Sequence, residues 1–350
     1  MLIIHTADIH LGASPDKGEP WGENRKQELW DSFERLIETV EAQKADLLLI
    51  AGDLFHRPPL LRELREVNAL FSSLSRTNVV IMAGNHDPIS ENSFYKGFSW
   101  AENVCFFEKD AIHAIQYPEL NVEVYGLSYH KKEIRERLYD SIKPRDNGFY
   151  HILLAHGGDE KHIPYTKEKL AKSGFDYIAF GHVHKPGIII PGKAVMSGSL
   201  EPTDHTCQGT HGYVCVEVKE GKNHISLTPF AGREYQEISL NLSEEDTMGS
   251  ICRRLGEKVT ELGGDNIYDV VIRGKCHASL ELMEDKIKRV GNIRVITDET
   301  EKSYNYETLM QEYYGSLLQR YIASFSKSEN MLEKKALAYG TAAILEVLDT

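Results

Sequence analysis

Short apolar runs that each stop at a histidine, aspartate or asparagine are the feature that most limits what this chain can become. Asp46-Leu47-Leu48-Leu49-Ile50 reads as a buried strand emptying into Ala51-Gly52-Asp53. Ligands gather at the carboxyl ends of strands in open α/β sheets, so a carboxylate there is placed for chemistry. Four other runs end alike. Leu2-Ile3-Ile4 leads to Asp8-Ile9-His10, and Asn78-Val79-Val80-Ile81-Met82 leads to Gly84-Asn85-His86-Asp87. His151-Ile152-Leu153-Leu154-Ala155 leads to His156, and Asp176-Tyr177-Ile178-Ala179-Phe180 to Gly181-His182-Val183-His184. Each ending alone is most simply a turn, but together, at one sheet edge, they make a ligand set. Asp8 and His10, two apart, point the same way in extended chain and can share a metal.

Helical periodicity fills the gaps between the first strands. Leu29, Phe33, Leu36, Ile37 and Val40 mark a crossover helix within residues 23 to 44, and Leu64, Val67, Phe71 and Leu74 mark a second from Leu61 to Arg76. Strand, helix, strand, helix, strand is the pattern of a parallel sheet. Beyond residue 90 the spacing predicts a strand over Asn121–Gly126 and a charged helix over Lys131–Ile142. β-rich sequence then runs to Pro229, with a turn at Lys219-Glu220-Gly221-Lys222. The alternation resets near Ala231-Gly232, so residues 231 to 300 read as a small α/β module of three strands and two helices. Residues 301 to 350 read as helices, Tyr306–Phe325 and Leu332–Leu348, with an apolar stripe of Leu309, Tyr313, Leu317, Leu318 and Tyr321.

The chain's 350 residues allow a sizeable core with one or two smaller modules. A net charge of −13 argues against a generally basic nucleic-acid coat, though it leaves room for a local cleft. The five cysteines show no CxxC spacing, which fits a reducing compartment. The opening Met1-Leu2-Ile3-Ile4 is too short for a signal peptide, and no run approaches the ~20 apolar residues of a membrane span. A cytoplasmic protein, with no membrane partner, is the expectation.

The order Asp-x-His, Gly-Asp, Gly-Asn-His-Asp, a lone His and Gly-His-x-His resembles the calcineurin-like metallophosphoesterases over residues 1 to 230. That resemblance implies a metallophosphoesterase β-sandwich flanked by helices, followed here by a small α/β capping domain and a helical C-terminal segment. It further implies two divalent metal ions, one held by Asp8, His10, Asp53 and His184, the other by Asp53, Asn85, His156 and His182. Two cations about 4 Å apart can clamp a phosphodiester in line, and the bridging carboxylate offsets their repulsion. So imidazole-rich a set suits manganese, iron or zinc better than magnesium, with manganese preferred. His86 is left over. In related enzymes it faces the phosphate, donating a proton or stabilising charge, as a histidine can do. Asp87 would orient it.

Within the superfamily the sequence resembles the SbcD-type and YhaO-type DNA repair exonucleases, relatives of the meiotic-recombination nuclease. His5-Thr6-Ala7-Asp8-Ile9-His10-Leu11-Gly12, the His56 of Asp53-Leu54-Phe55-His56, and Ser197-Gly198-Ser199-Leu200-Glu201-Pro202 carry the likeness. Ile9 replaces a common tryptophan, and Asp204-His205-Thr206-Cys207 departs from the branch, so His205 and His211 read either as nucleotide-facing or as loop histidines. The resemblance implies an exonuclease or endonuclease hydrolysing DNA during double-strand-break repair, with His56 near the nucleotide. It implies residues 231–300 as a DNA cap, residues 301–350 as a dock for an SMC-like ATPase of SbcC or YhaN type, and a homodimer. Arg253, Arg254, Lys258, Lys286, Lys288 and Arg289 either meet phosphates or form a solvated face. Helices near 61–76 and 90–105 are candidates for the dimer interface. The alternatives are a cyclic- or small-nucleotide phosphodiesterase needing only residues 1–230, or a non-catalytic DNA-tethering subunit, which a broken ligand set would mark.

Overall fold

The computed structural model describes residues 1–325 and 330–348; the parts of the expected helical tail at 326–329 and 349–350 lie outside them. The chain divides into two compact units, Met1–Tyr235 and Gln236–Thr350. In the first, the order is β1 (Leu2–Thr6), α1 (Arg25–Gln43), β2 (Leu47–Ala51), α2 (Leu61–Ser72), β3 (Asn78–Met82) and β4 (Val104–Phe107). Then follow β5 (His113–Tyr117), β6 (Val122–Gly126), β7 (Tyr150–His156), α3 (Lys167–Ala171), β8 (Tyr177–Gly181), β9 (Gly187–Ile190), β10 (Ala194–Met196), β11 (Gly212–Lys219) and β12 (Lys222–Pro229).

Two six-stranded sheets result, ordered β12-β11-β1-β2-β3-β4 and β5-β6-β7-β8-β10-β9. β1 to β4 are mutually parallel, as are β6 to β8. Strand β2 explains why its sequence is apolar without alternation. Leu48 and Ile50 join Phe33, Leu36, Leu64 and Phe71 of the two helices, whereas Leu47, Leu49 and Ala51 meet Val124, Ile152, Leu154 and Tyr177 of the facing sheet. Both faces are buried, so both must be hydrophobic. The second sheet turns Leu153, Ala155, Ile178 and Phe180 outward under Tyr129, Tyr139, Ile163 and Leu170. The expected single edge is therefore two edges: β1, β2 and β3 deliver their ends from one sheet, β7 and β8 from the other. Between β11 and β12, Glu220 and Gly221 both take positive φ, which a tight hairpin of the primed type requires.

The second unit holds a three-stranded sheet of β13 (Tyr235–Leu242), β14 (Ile267–His277) and β15 (Asn292–Ser303), with β14 and β15 parallel. Helix α4 (Met248–Leu262) is capped by Thr247, whose Oγ1 accepts the Ser250 N–H at 3.2 Å. It buries Ile251, Leu255 and Val259 against Leu240, Tyr268, Val270 and Ile293. Helix α5 is short (Glu284–Lys288), and α6 (Tyr306–Glu312), α7 (Leu317–Ser324) and α8 (Met331–Leu348) complete the unit. Leu318 and Ile322 are buried, and Tyr321 donates to Ala336 O at 2.7 Å.

Three expectations fail. Lys131–Ile142 is not a helix, because Ile134 is drawn into a bridge with His162: its N–H donates to Lys161 O and its carbonyl accepts from Ile163. Pairing across the surface overrides a helical composition. Residues 90–103 form turns, in which Tyr95, Phe98 and Trp100 gather with Phe106 as an aromatic cluster. The predicted helix over Tyr306–Phe325 breaks at Gly315, which takes φ +78, and the stripe splits: Leu318 is buried but Leu317 is 71% exposed.

Arg25, fully buried at the start of α1, lies 3.3 Å from Asp16 and donates to Glu28 at 2.8 Å and Pro202 O at 2.6 Å. Removing one partner of such a group leaves uncompensated charge. Arg25→Met is expected to destabilise the first unit by about 3–5 kcal/mol. Tryptophan fluorescence during urea unfolding would read this, since Trp21, Trp30 and Trp100 all lie in that unit.

Candidate metal centre

The strand ends meet where the backbone is strained. Asp8 (φ 51°), His10 (φ 52°), Asp53 (φ 50°) and His182 (φ 98°) all sit in the left-handed region, which for non-glycine residues costs of order 1–3 kcal/mol each. Hydrogen bonds hold them there: Asp8 N–H to Gly52 O (3.2 Å), His10 N–H to Asp53 O (3.0 Å) and Leu11 N–H to Leu54 O (2.9 Å) tie the β1 loop to the β2 loop. Two glycines make room. A Cβ on Gly52 would stand 2.4 Å from His156 Nδ1, and one on Gly84 2.1 Å from Asp53 Oδ1.

Asp53 lies at the middle. Its Oδ1 accepts the His86 N–H at 2.8 Å, and its Oδ2 is 3.4 Å from His156 Nε2 and 3.9 Å from His10 Nε2. Burial favours its neutral form, but the imidazoles of His156, His10 and His86 outweigh burial and hold the carboxyl below its usual range. Asp8 behaves oppositely. Burial and the Asp53 charge push it up to about 6 against the pull of His156 and His184.

Tautomers follow from the outer contacts. His156 Nδ1–H donates to Ala51 O at 2.7 Å, so Nε2 faces Asn85 Oδ1 at 2.9 Å. His182 Nε2 contacts the Asp159 carboxylate at 2.8 Å, so Nδ1 faces the same Asn85 oxygen at 3.0 Å. Three electron-pair atoms thus converge beside the Asp53 carboxylate, an arrangement that a cation stabilises. Without one, a proton serves: despite burial, Asp53 raises His156 to about 9. His10 Nε2 and His184 Nε2 are 2.9 Å apart, while Asp8 Oδ1 and His10 Nδ1 are buried with no hydrogen-bond partner among the described residues. Asp8, His10 and His184 offer ligand atoms within 4.8 Å of one another, as do Asp8, Asp53 and His156, so these residues fit metal ions.

The remaining expected residues fall at and around this centre. His86 sits with its ring 4.8 Å from His10, and His56 stacks 5.2 Å from His86 and lies 5.4 Å from His10, so the three imidazoles form a triangle. Burial, then the neighbouring His86, lowers the His56 pKa. Asp87 does not touch the His86 ring. Its carboxylate accepts from Gly84 N–H (2.7 Å), Phe55 N–H (3.2 Å) and Tyr95 OH (2.8 Å), bracing the loop that carries Asn85 and His86. Burial and the Asp53 charge raise it to about 7. His211 is buried, with Nε2 3.1 Å from Cys207 O and Nδ1 3.0 Å from Ser199 Oγ, which excludes a nucleotide-facing role; His205 is an exposed loop histidine. The sequence reading missed Asp159, its neighbour His162, and Thr203, whose Oγ1 lies 2.9 Å from His184 Nδ1. None ends a strand, and the Asp-x-x-His spacing of 159 and 162 was the one available signal.

Residues 1–186 match the calcineurin-like phosphoesterase family. The chain is 26% identical over 289 residues to the uncharacterized metallophosphoesterase YhaO of Bacillus subtilis strain 168, covering 75% of this chain and 68% of that one. It is 31% identical over 275 residues to the DNA double-strand break repair protein Mre11 of Methanocaldococcus jannaschii, covering 73% and 69%. The Mre11 of Sulfurisphaera tokodaii is 25% identical over an alignment of 368 positions, covering 93% and 90%. No helix among the described residues is long and apolar enough to cross a membrane. With more than half its length matching the family and the site assembled from the ends of both sheets, this chain belongs to the calcineurin-like phosphoesterases and is a metal-dependent hydrolase of phosphoric esters.

Proposed function

We propose that this protein is a two-metal nuclease that hydrolyses phosphodiester bonds of DNA, as exonuclease or endonuclease, in double-strand-break repair. The observation that carries the reading is the convergence of Asn85 Oδ1, His156 Nε2 and His182 Nδ1 near Asp53, together with the clustering of Asp8, His10 and His184. Asp8, His10, Asp53 and His184 hold one ion; Asp53, Asn85, His156 and His182 hold the second. Two such cations, when bound, activate water and stabilise the leaving oxygen of an in-line displacement. The imidazole content disfavours magnesium, and the mixed imidazole and oxygen set is assigned to manganese, with iron or zinc as alternatives.

The chain's own residues do the rest. The His86 backbone N–H holds Asp53 Oδ1, which places the His86 ring beside the ligands, where it protonates the leaving oxygen or stabilises its charge. Asp87 braces that loop through Gly84 and Phe55. His56, stacked on His86 at the rim, meets the nucleotide next to the scissile bond.

DNA as substrate is supported by the names of the Mre11 relatives and by His56. Residues 231–300 serve as the DNA cap. Of the basic residues expected there, Arg253 pairs with Glu257, Arg254 with Asp246 and Lys288 with Glu284, so the phosphate contacts are assigned to Lys258, Lys286 and Arg289, which are exposed and form no ion pair with another described residue. Residues 301–350 dock an SMC-like ATPase of SbcC or YhaN type. Tyr314, Leu317, Leu332 and Tyr339, each at least 71% exposed, supply apolar area for that contact. The assembly is a cytoplasmic homodimer.

With manganese, the intact protein is expected to cleave linear duplex or single-stranded DNA; turnover of a cyclic nucleotide and an aryl phosphodiester with no DNA cleavage would contradict the substrate. His86→Ala should keep its metal content while losing about 10²–10⁴-fold in turnover; near wild-type turnover would refute the role. His56→Ala should slow processing of duplex ends more than hydrolysis of the aryl diester, and equal losses on both would remove its link to DNA.

A further inference from the structure

We propose that Asp159 is a positioning residue that fixes which nitrogen His182 turns toward the metal pair. This role rests on the ligand assignment above and extends it to a group outside every strand end. The loop after β7, His156-Gly157-Gly158-Asp159-Glu160-Lys161-His162, is folded back on itself: Gly158 N–H donates to His162 O at 2.7 Å. A Cβ on Gly157 would stand 2.1 Å from that same carbonyl, so the return requires glycine there. Asp159 is fixed by its own loop, with Oδ1 accepting the backbone N–H of Lys161 at 2.7 Å and of His162 at 3.0 Å.

The other oxygen meets two imidazoles. Asp159 Oδ2 lies 2.8 Å from His182 Nε2, and the His162 ring grips the same oxygen through Nδ1 at 2.8 Å. An ionised carboxylate only accepts hydrogen bonds, so the proton of His182 resides on Nε2 and the lone pair on Nδ1. Nδ1 is the nitrogen 3.0 Å from Asn85 Oδ1, on the Asp53 side. The opposite tautomer would aim an N–H into the site. The His182 backbone, at φ 98° and with its N–H on Asp8 Oδ2 at 2.8 Å, sets where the ring starts; Asp159 sets which face it offers. The loop that follows one proposed ligand, His156, thereby orients another on the neighbouring strand.

Calorimetric titration of manganese into the chelator-treated intact protein tests this, alongside its metal-free unfolding midpoint. Wild type is expected to bind two ions. Asp159→Ala should weaken one of them by about 10–100-fold and recover turnover at saturating manganese. Asp159→Glu should restore part of the affinity, and His162→Gln should cost less than Asp159→Ala. Two ions bound with equal affinity by wild type and Asp159→Ala, whatever the unfolding midpoint, would overturn the role of Asp159 alone. A wild type that binds a single ion would overturn the ligand assignment and this role with it.

Discussion

A carboxylate buried among imidazoles is the interaction on which this structure turns. Asp53 is 1% exposed, and taking an isolated charge so far from water is costly unless positive charge comes with it. Its surroundings supply that charge in reserve: the His86 N–H on one oxygen, His156 and His10 near the other. The raised His156 pKa measures the demand, because a buried imidazole ordinarily sheds its proton. A metal ion answers the same demand more fully. On the proposed ligand assignment, binding would displace that proton and couple metal affinity to pH.

The rest of the first unit delivers groups to Asp53 from two directions. Parallel strands in each sheet end at the same side of the sandwich, so a short backbone turn after each strand suffices to present a polar side chain. Those turns are not relaxed. Left-handed aspartates and histidines persist because the cross-loop hydrogen bonds and the packed sheets beneath leave no alternative. The outer contacts matter equally, since Ala51 O, Thr203 Oγ1 and Asp159 Oδ2 each meet one ring nitrogen of His156, His184 and His182 and leave the other nitrogen turned toward the cluster.

Much of this was legible in the sequence, for a physical reason. Strands such as β2 and β7 are buried on both faces, so they read as unbroken apolar runs, and their polar terminators stand out. Asp8, His10, Asp53, Asn85, His156, His182 and His184 stand out that way as candidates, and the structure brings them together. Asp159 and Thr203 were not, because loop residues that act through a neighbour leave no periodic trace. Asp87 was visible but its contacts were not: tertiary packing gives it Tyr95 and two backbone amides in place of the His86 ring. The failed helix at Lys131–Ile142 has the same origin, a long-range bridge that local composition cannot encode. His5, in the opening motif, lies away from the ligands: it is fully buried between the sheets, with Nδ1 2.8 Å from Tyr177 OH.

The central claim is that one carboxylate serves two ions. Elemental analysis of manganese-loaded Asp53→Asn, purified beside wild type, tests it most directly. The account predicts about two ions per chain in wild type and loss of both together in the variant, with the fold retained. A folded variant that keeps one ion would contradict it, since Asp53 would then belong to a single site and not bridge the pair.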